Sequence, residues 1–429
     1  MTEFRIEHEW LSDKRGRDEA TLARILIKVA DVVATKFDSD HGERGDALEI
    51  PAYYLAEWLA GNWWNLLWEP RKSDDEGDTR SYAARHNIVA SQHGFALPSL
   101  QIIPAGEAFY LDLRPRHSEL ADVSFPSSLR LWAPRSHVEQ EIKNFIDTVV
   151  GRLIEKGIQS ELQEEWSLVT ATTEEESLYC KCVGALGLSP YDDNAEIDEF
   201  LLDASKFLNE ELILDLCQAS LPETLEHSLK KAKISRAIMN KVEASDLSSL
   251  SFSPPKDDFT SPAWVLGQSA ARAVRSRMGI DELDPLSGRS FLKGIGVNIK
   301  RRFEVSDIEV ETAPVLGAVE KDTDSARIAL LQSREPQRLF SALRAVYLGW
   351  ADPKKRSQHL LTSAATRQQQ ASRAFAAEMT APTAYLKNAL RSNRNPTLSE
   401  IADIAAKLGI GDGVVWKQAE NKGLIAARH

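Results

Sequence analysis

Residues 368–382 read QQQASRAFAAEMTAP, and residues 398–425 read LSEIADIAAKLGIGDGVVWKQAENKGLI. The first stretch is an Ala-rich helix that stops beside Pro382, whose ring cannot continue a helix. In the second, apolar residues recur at helical spacing as far as Leu408. A turn follows at Gly411-Asp412-Gly413, and a further helical run closes on Leu424-Ile425. Helix, glycine turn, helix is the pattern of a helix-turn-helix. On its second helix Lys417, Gln418, Asn421 and Lys422 are the residues placed to reach phosphates or base edges. The competing reading is a helical pair that packs on its own domain.

Working outward, a helix is expected over 264–277, followed by a strand or two and then helices to the end. Residues 246–262 (DLSSLSFSPPKDDFTSP) are polar and rich in Ser and Pro, the composition of a linker. Residues 156–245 read as entirely helical. Within them Thr172-Thr173 precedes Glu174-Glu175-Glu176, a threonine cap with first-turn carboxylates, and Gly187 is placed to end that helix. Amphipathic helices are expected over 196–216 and 222–243.

The first 155 residues mix both patterns. FRIEHEW alternates like a strand. Residues 20–34 carry Leu22, Ile25, Leu26, Val29 and Val33 at helical spacing. The Trp-rich run 53–70, with Trp58, Trp63, Trp64 and Trp68, is apolar nearly all round, as a buried helix is. Short apolar pieces at 100–103, 109–113 and 129–132, punctuated by Gly and Pro, predict a small antiparallel sheet. A helix from about 137 to 155 closes the region.

The expected fold is therefore α+β and predominantly helical. A small N-terminal α+β domain (1–155), a helical domain (156–245), a linker (246–262) and a C-terminal domain (263–429) ending in a helical pair make up the chain. Its length suits two to four domains, and a 43% apolar fraction is enough to fill their cores. The net charge of −12 argues against a generic nucleic-acid binder, though not against a local basic patch. Three cysteines give no disulfide framework and fit a reducing compartment. No apolar signal core and no run of about 18 apolar residues is present, so a cytoplasmic location without a membrane span is expected.

The chain has no GxxxxGK(S/T), no GxSxG and no HExxH. Gly294-Ile295-Gly296 reads as a tight turn. Cys180 and Cys182, two apart on a helix, point to different faces and make a poor metal clamp. None of the nine histidines forms an i, i+4 pair. His86 and His93, seven apart, are weighed as a pair and set below the default of separate histidines.

Three stretches carry a family resemblance: Ala270–Gly279, Arg373–Pro382 and Ile401–Ile425. In this order and spacing they resemble the ImmA/IrrE family of metallopeptidases, including its larger members fused to regulators. The resemblance implies a zincin-like C-terminal domain. The zinc helix of the family reads like R-F-T-x-A-H-E-x-x-H. The matching run here is Arg338-Leu339-Phe340-Ser341-Ala342-Leu343-Arg344-Ala345-Val346-Tyr347. Leu343 and Tyr347 thus stand at the histidine positions and Arg344 at that of the general-base glutamate. The downstream carboxylate falls near Gln368–Ala371, which offers no acid. Leucine gives zinc no donor, and an arginine repels it and cannot serve as a base. No metal, no cofactor and no catalytic residue is expected.

The resemblance thus implies a non-catalytic regulatory or interaction protein whose domain keeps the peptidase shape as a binding surface. A protein partner of the repressor or toxin–antitoxin class, in a stress, mobile-element or phage-defence switch, is expected on the same ground. In the former groove, Arg338 and Arg344 are candidates to hold a carboxylate or phosphate. Two alternatives stand beside this reading. One is a metallopeptidase that draws ligands from His359, Glu378 and other domains and cleaves a repressor-type protein. The other is a DNA-binding regulator acting through residues 398–425.

Overall fold

The computed structural model describes the chain except residues 1–3, 73–75, 120, 260, 300–313, 353–355, 392–394 and 427–429. The fold is α+β with several small antiparallel sheets. The chain divides into two compact units, Met1–Glu199 with Asp258–Ser261, and Phe200–Asp257 with Pro262–His429. Among the described residues no helix is long and apolar enough to cross a membrane.

In chain order the first unit begins with β1 (Phe4–Trp10), α1 (Arg17–Ala20), β2 (Leu22–Val29), β3 (Val32–Val33), β4 (Phe37–Ser39), β5 (Arg44–Gly45) and β6 (Leu48–Pro51). Next come α2 (Ala52–Gly61), α3 (Trp63–Trp68), α4 (Glu76–His86), β7 (Ser99–Pro104), β8 (Ala108–Arg114), β9 (Arg116–Ser118), β10 (Val123–Phe125) and β11 (Leu129–Pro134). Three helices follow: α5 (Arg135–Lys156), α6 (Glu161–Ala171) and α7 (Glu174–Ala185). One sheet has β2 pairing with β1, β3 and β6; the others run β5-β4-β10-β9 and β11-β8-β7.

The helix expected over 20–34 is instead the strand β2. Ala23, Ile25, Ile27 and Val29 alternate into the core. Between them Arg24 pairs with Glu9 and Glu49, and Lys28 with Glu7, from the strands on either side. Strand period and helix period share several apolar positions here; the cross-strand charges and the β-branched residues favour the strand. The Trp-rich run is helical but breaks at Asn62 into α2 and α3, and Trp63 and Trp64 are buried. The threonine cap forms as a capping box: Thr173 Oγ1 accepts from Glu176 N, and Glu176 accepts from Thr173 N. Gly187 follows that helix at φ +82°.

Past the division, which falls inside α8 (Ala195–Ser205), come α9 (Glu210–Ala219), α10 (Leu225–Met239), β12 (Ser245–Asp246), α11 (Ala263–Met278) and α12 (Ser287–Gly294). Then follow β13 (Val315–Asp322), β14 (Ser325–Leu330), α13 (Glu335–Ala351), β15 (Gln358–Thr362) and α14 (Arg367–Thr380). The chain closes with α15 (Thr383–Leu390), α16 (Leu398–Leu408) and α17 (Asp412–Asn421). The sheet order is β12-β14-β13-β15, all antiparallel. The single helix expected over 196–216 is two, because Asn209 caps α9 by accepting from Leu212 N.

The expected boundaries shift accordingly. The 156–245 stretch does not stand as a separate helical domain: α9 packs on β15, and α10 packs on β13 and β14. Nor is 246–262 a free linker. Asp246 pairs with Ser325 in the sheet, Leu247 and Leu250 are core residues, and Asp257 receives two hydrogen bonds from Arg367. Its Ser and Pro content hid three apolar anchors, the third being Phe252, whose carbonyl accepts from Trp350 Nε1 at 3.0 Å.

Helices α11 and α14 are in very close contact. A Cβ on Gly267 would lie 2.1 Å from the Ala371 carbonyl oxygen and 2.8 Å from Phe375 N. Ala270 and Ala271 share that core with Ala371 and Phe375. Small residues let the two backbones approach, and α14 also packs directly on α13.

Candidate functional site

Helix α13 carries the run that resembles a zinc helix. It is buried along most of its length, from Leu339 to Trp350 with one half-buried position, Phe340. A helix apolar all round belongs in a core, and α13 lies between the sheet strands β13, β14 and β15 and the helix α14. Each of the three positions implied by the resemblance is consumed by that core. Leu343 is fully buried, and its burial contributes about 1.5–3 kcal/mol. The Tyr347 ring lies 5.3 Å from that of Phe375, and burial pushes its phenol well up.

Arg344 is 2% exposed and has no carboxylate partner among the described residues. Its guanidinium donates to Thr362 O at 2.6 Å, Gln369 Oε1 at 2.6 Å and Ser372 Oγ at 3.2 Å. Desolvation, reinforced by repulsion from Arg373, pushes its ionisation down to about 9. Gln369 in turn donates to Leu360 O at 2.7 Å and accepts from Thr362 N at 3.3 Å. The position that the resemblance matches to a general base is thus bonded directly to the stretch matched to a downstream ligand. The bond is a guanidinium–amide contact with no room left for an ion between them. These residues do not fit zinc.

Arg338 is not aimed at a groove. It donates to the carbonyls of Ile299, Gln332 and Ser333 from a buried position, so it ties the start of α13 to the loops before it. The expectation that Arg338 and Arg344 offer a free guanidinium to a ligand therefore fails, because backbone and amide oxygens already occupy them.

His359 and Glu378 lie in separate networks. His359, on β15, is 1% exposed. Its Nε2 lies 3.4 Å from Asp352 Oδ2. Burial, with Arg356 adding to it, pushes the imidazole down to about 4, so at neutral pH this contact is not an ion pair. Burial raises the Asp352 carboxyl, but its charged neighbours outweigh that and hold it low. At neutral pH the neighbour that matters is Arg356, since His359 is then uncharged. Glu378 accepts from Thr383 N at 3.2 Å, Thr383 Oγ1 at 2.6 Å and Gln418 Nε2 at 2.8 Å.

The C-terminal pair α16 and α17 has the helix–turn–helix shape, with Gly409 in the left-handed region at φ +64°. Its four candidate contact residues divide. Lys417 and Asn421 are exposed, and Lys417 pairs with Glu420 at 2.8 Å. Gln418 is buried against Glu378, and Lys422 turns inward to Gln268 and sits 4.9 Å over the Trp264 ring. Two of the four candidate contact residues are therefore used to dock the helix on α11 and α14.

Other sequence candidates also separate. His86 is fully buried between Ile102 O and Glu69, whereas His93 stacks on Tyr54 at 4.6 Å, so the two do not act together. Cys180 and Cys182 are buried and not joined in a disulfide, and desolvation pushes Cys180 up. Sequence reading missed Thr362, Gln369 and Ser372 as the partners of Arg344. Only an unexplained arginine within an apolar helix hinted that neutral acceptors waited elsewhere. No protein-family model, no curated protein and no solved structure matches the chain.

Proposed function

We propose that the chain is a cytoplasmic, non-catalytic regulatory or interaction protein built on a degenerate ImmA/IrrE-type, zincin-like domain. The observation that carries this reading is the Arg344–Gln369 bond at 2.6 Å. A hydrolytic metal site needs three donors and an open position for water. Here a buried cation and an amide fill that space, flanked by Leu343 and Tyr347. Loss of donors alone would leave a hollow; the replacement by a satisfied, packed network supports a domain kept for its shape. A shape kept without chemistry acts through a partner, and the resemblance points to a protein of the repressor or toxin–antitoxin class in a stress, mobile-element or phage-defence switch.

The test is to incubate the full chain with repressor-type proteins of its own cell, with and without chelator. Stable complex formation that survives chelation, with no cleavage, is the expected result. Chelator-sensitive cleavage that His359→Ala and Glu378→Ala both abolish would overturn it in favour of an unusual metallopeptidase. A DNA-binding role through residues 398–425 finds less support, since Gln418 and Lys422 are engaged inside the fold. A duplex shift with a steep salt dependence, lost in Lys417→Ala, would restore it.

A further inference from the structure

Strand β1 lies at the end of its sheet. All 7 of its residues, Phe4 to Trp10, pair with β2, and among the described residues no strand pairs with its other side. One step beyond, Leu11 N donates to Leu22 O at 2.9 Å in the same register. Bonded and non-bonded pairs alternate along antiparallel strands, so Arg5, Glu7 and Glu9 exchange backbone bonds with β2. Phe4, Ile6, His8 and Trp10 then turn their N–H and C=O groups away from it. Phe4 N accordingly leaves the sheet and donates to His137 Nε2 at 3.2 Å. The backbone groups of Ile6 and His8 have no hydrogen-bond partner among the described residues.

Proteins blunt an edge of this length with proline, a bulge or an inward-pointing charge. Strand β1 has no proline and keeps its register throughout, and Arg5, Glu7 and Glu9 all lie on its exposed face. The other row is apolar or aromatic: Phe4 is buried, and Ile6, His8 and Trp10 are half-buried. The strand is also complementary to itself. A two-fold axis through Glu7 overlaps two copies along the whole strand. It sets Arg5 against Glu9 of the second copy, twice by symmetry. On the opposite face it sets Phe4 against Trp10 and Ile6 against His8, whose outward backbone groups then bond each other. Opposite charges and aromatic pairs across strands stabilise such a ladder. Glu7 meets its own copy on the axis, where Lys28 Nζ, 3.1 Å from its carboxylate, offsets the like charge. An axis through His8 would instead set Glu7 against Glu9.

We propose that β1 pairs antiparallel with β1 of a second copy of this chain, in the register centred on Glu7. The contact is isologous, so it closes at two copies, and it joins the two sheets into one. It stands independently of the regulatory reading, since every residue it uses belongs to the first unit.

The test is sedimentation velocity of the full chain over a concentration series, with native mass spectrometry of mixtures. A dimer forming at about 1–100 µM is expected from so small a contact. Arg5→Glu and Glu9→Arg each set like charges opposite one another and should weaken it by about tenfold or more. Glu9 does bond Arg24 within the chain, but that pair is exposed and contributes little to the fold. An equimolar mixture of the two variants should pair again, as a mixed dimer, because each reversal then meets the other. His8→Pro removes an N–H that β2 does not use, a change that edge strands tolerate, and should leave the chain monomeric. Far-ultraviolet circular dichroism checks that each variant is folded. A wild-type chain monomeric throughout the series, a dimer that survives both charge reversals, or a mixture that fails to pair overturns the proposal.

Discussion

Gln418 on α17 donates a hydrogen bond to Glu378 on α14 at 2.8 Å, in the interior of the C-terminal unit. A residue that the sequence offers to DNA and one that it offers to a metal thus satisfy each other. Arg275 Nη1 lies 3.9 Å from the same carboxylate, and both side chains are almost fully buried. Removing the acid leaves a buried guanidinium without its counter-charge, which costs about 3–5 kcal/mol. Glu378→Ala should lower the stability of the C-terminal unit by that amount, and Gln418→Ala by about 1–2 kcal/mol. Lys417→Glu, at an exposed site, should stay within about 0.5 kcal/mol. Urea denaturation of the three variants checks the ranking.

His359 predicts a pH dependence. In the unfolded chain its imidazole has an ordinary value of 6.5, and in the folded chain burial pushes it down to about 4. The folded state therefore binds fewer protons between these values. The stability is fully present above pH 6.5 and is lost as pH falls towards 4. Between pH 7 and pH 5 the loss should be about 2 kcal/mol. His359→Leu removes a titrating group and should flatten that part of the profile. An unchanged slope, read from urea midpoints, would show that another group dominates acid sensitivity.

Arg344 tests whether the polar network beside α13 is a packing device. Arg344→Met keeps much of the volume but leaves the Thr362 carbonyl and the Gln369 amide oxygen short of a donor, at about 1–3 kcal/mol. Arg344→Glu sets a carboxylate against those same acceptors and should cost more. Neither variant should hydrolyse a peptide, even with added zinc, because Leu343 and Tyr347 remain. Zinc-dependent hydrolysis by Arg344→Glu would show that a donor set survives around α13.

Gly267 tests the contact of α11 with α14. An added methyl would lie 2.1 Å from the Ala371 carbonyl oxygen, a backbone atom with no freedom to retreat. Gly267→Ala should destabilise the unit by at least about 1–3 kcal/mol, although alanine is the better helix former in isolation. Thermal unfolding distinguishes the two effects by sign.

The helices with strong local signals were legible in the sequence alone. Thr173 caps a helix three residues before a glutamate, and its capping box forms; Thr397 forms a second box that the sequence reading did not single out. The strands 99–104, 108–114 and 129–134 carry turn residues at their ends and pair as neighbours. The absence of HExxH was likewise fixed without coordinates. Tertiary structure decided the rest. Residues 20–34 satisfy both periods, and only pairing of β2 with β1 and β6 selects the strand. The linker composition of 246–262 concealed anchors whose value depends on a core elsewhere in the chain. Most of all, the roles of Arg344, Glu378 and Gln418 depend on partners distant in sequence. A side chain's chemistry is set by what desolvates and bonds it, and for these residues that is decided only when remote segments meet.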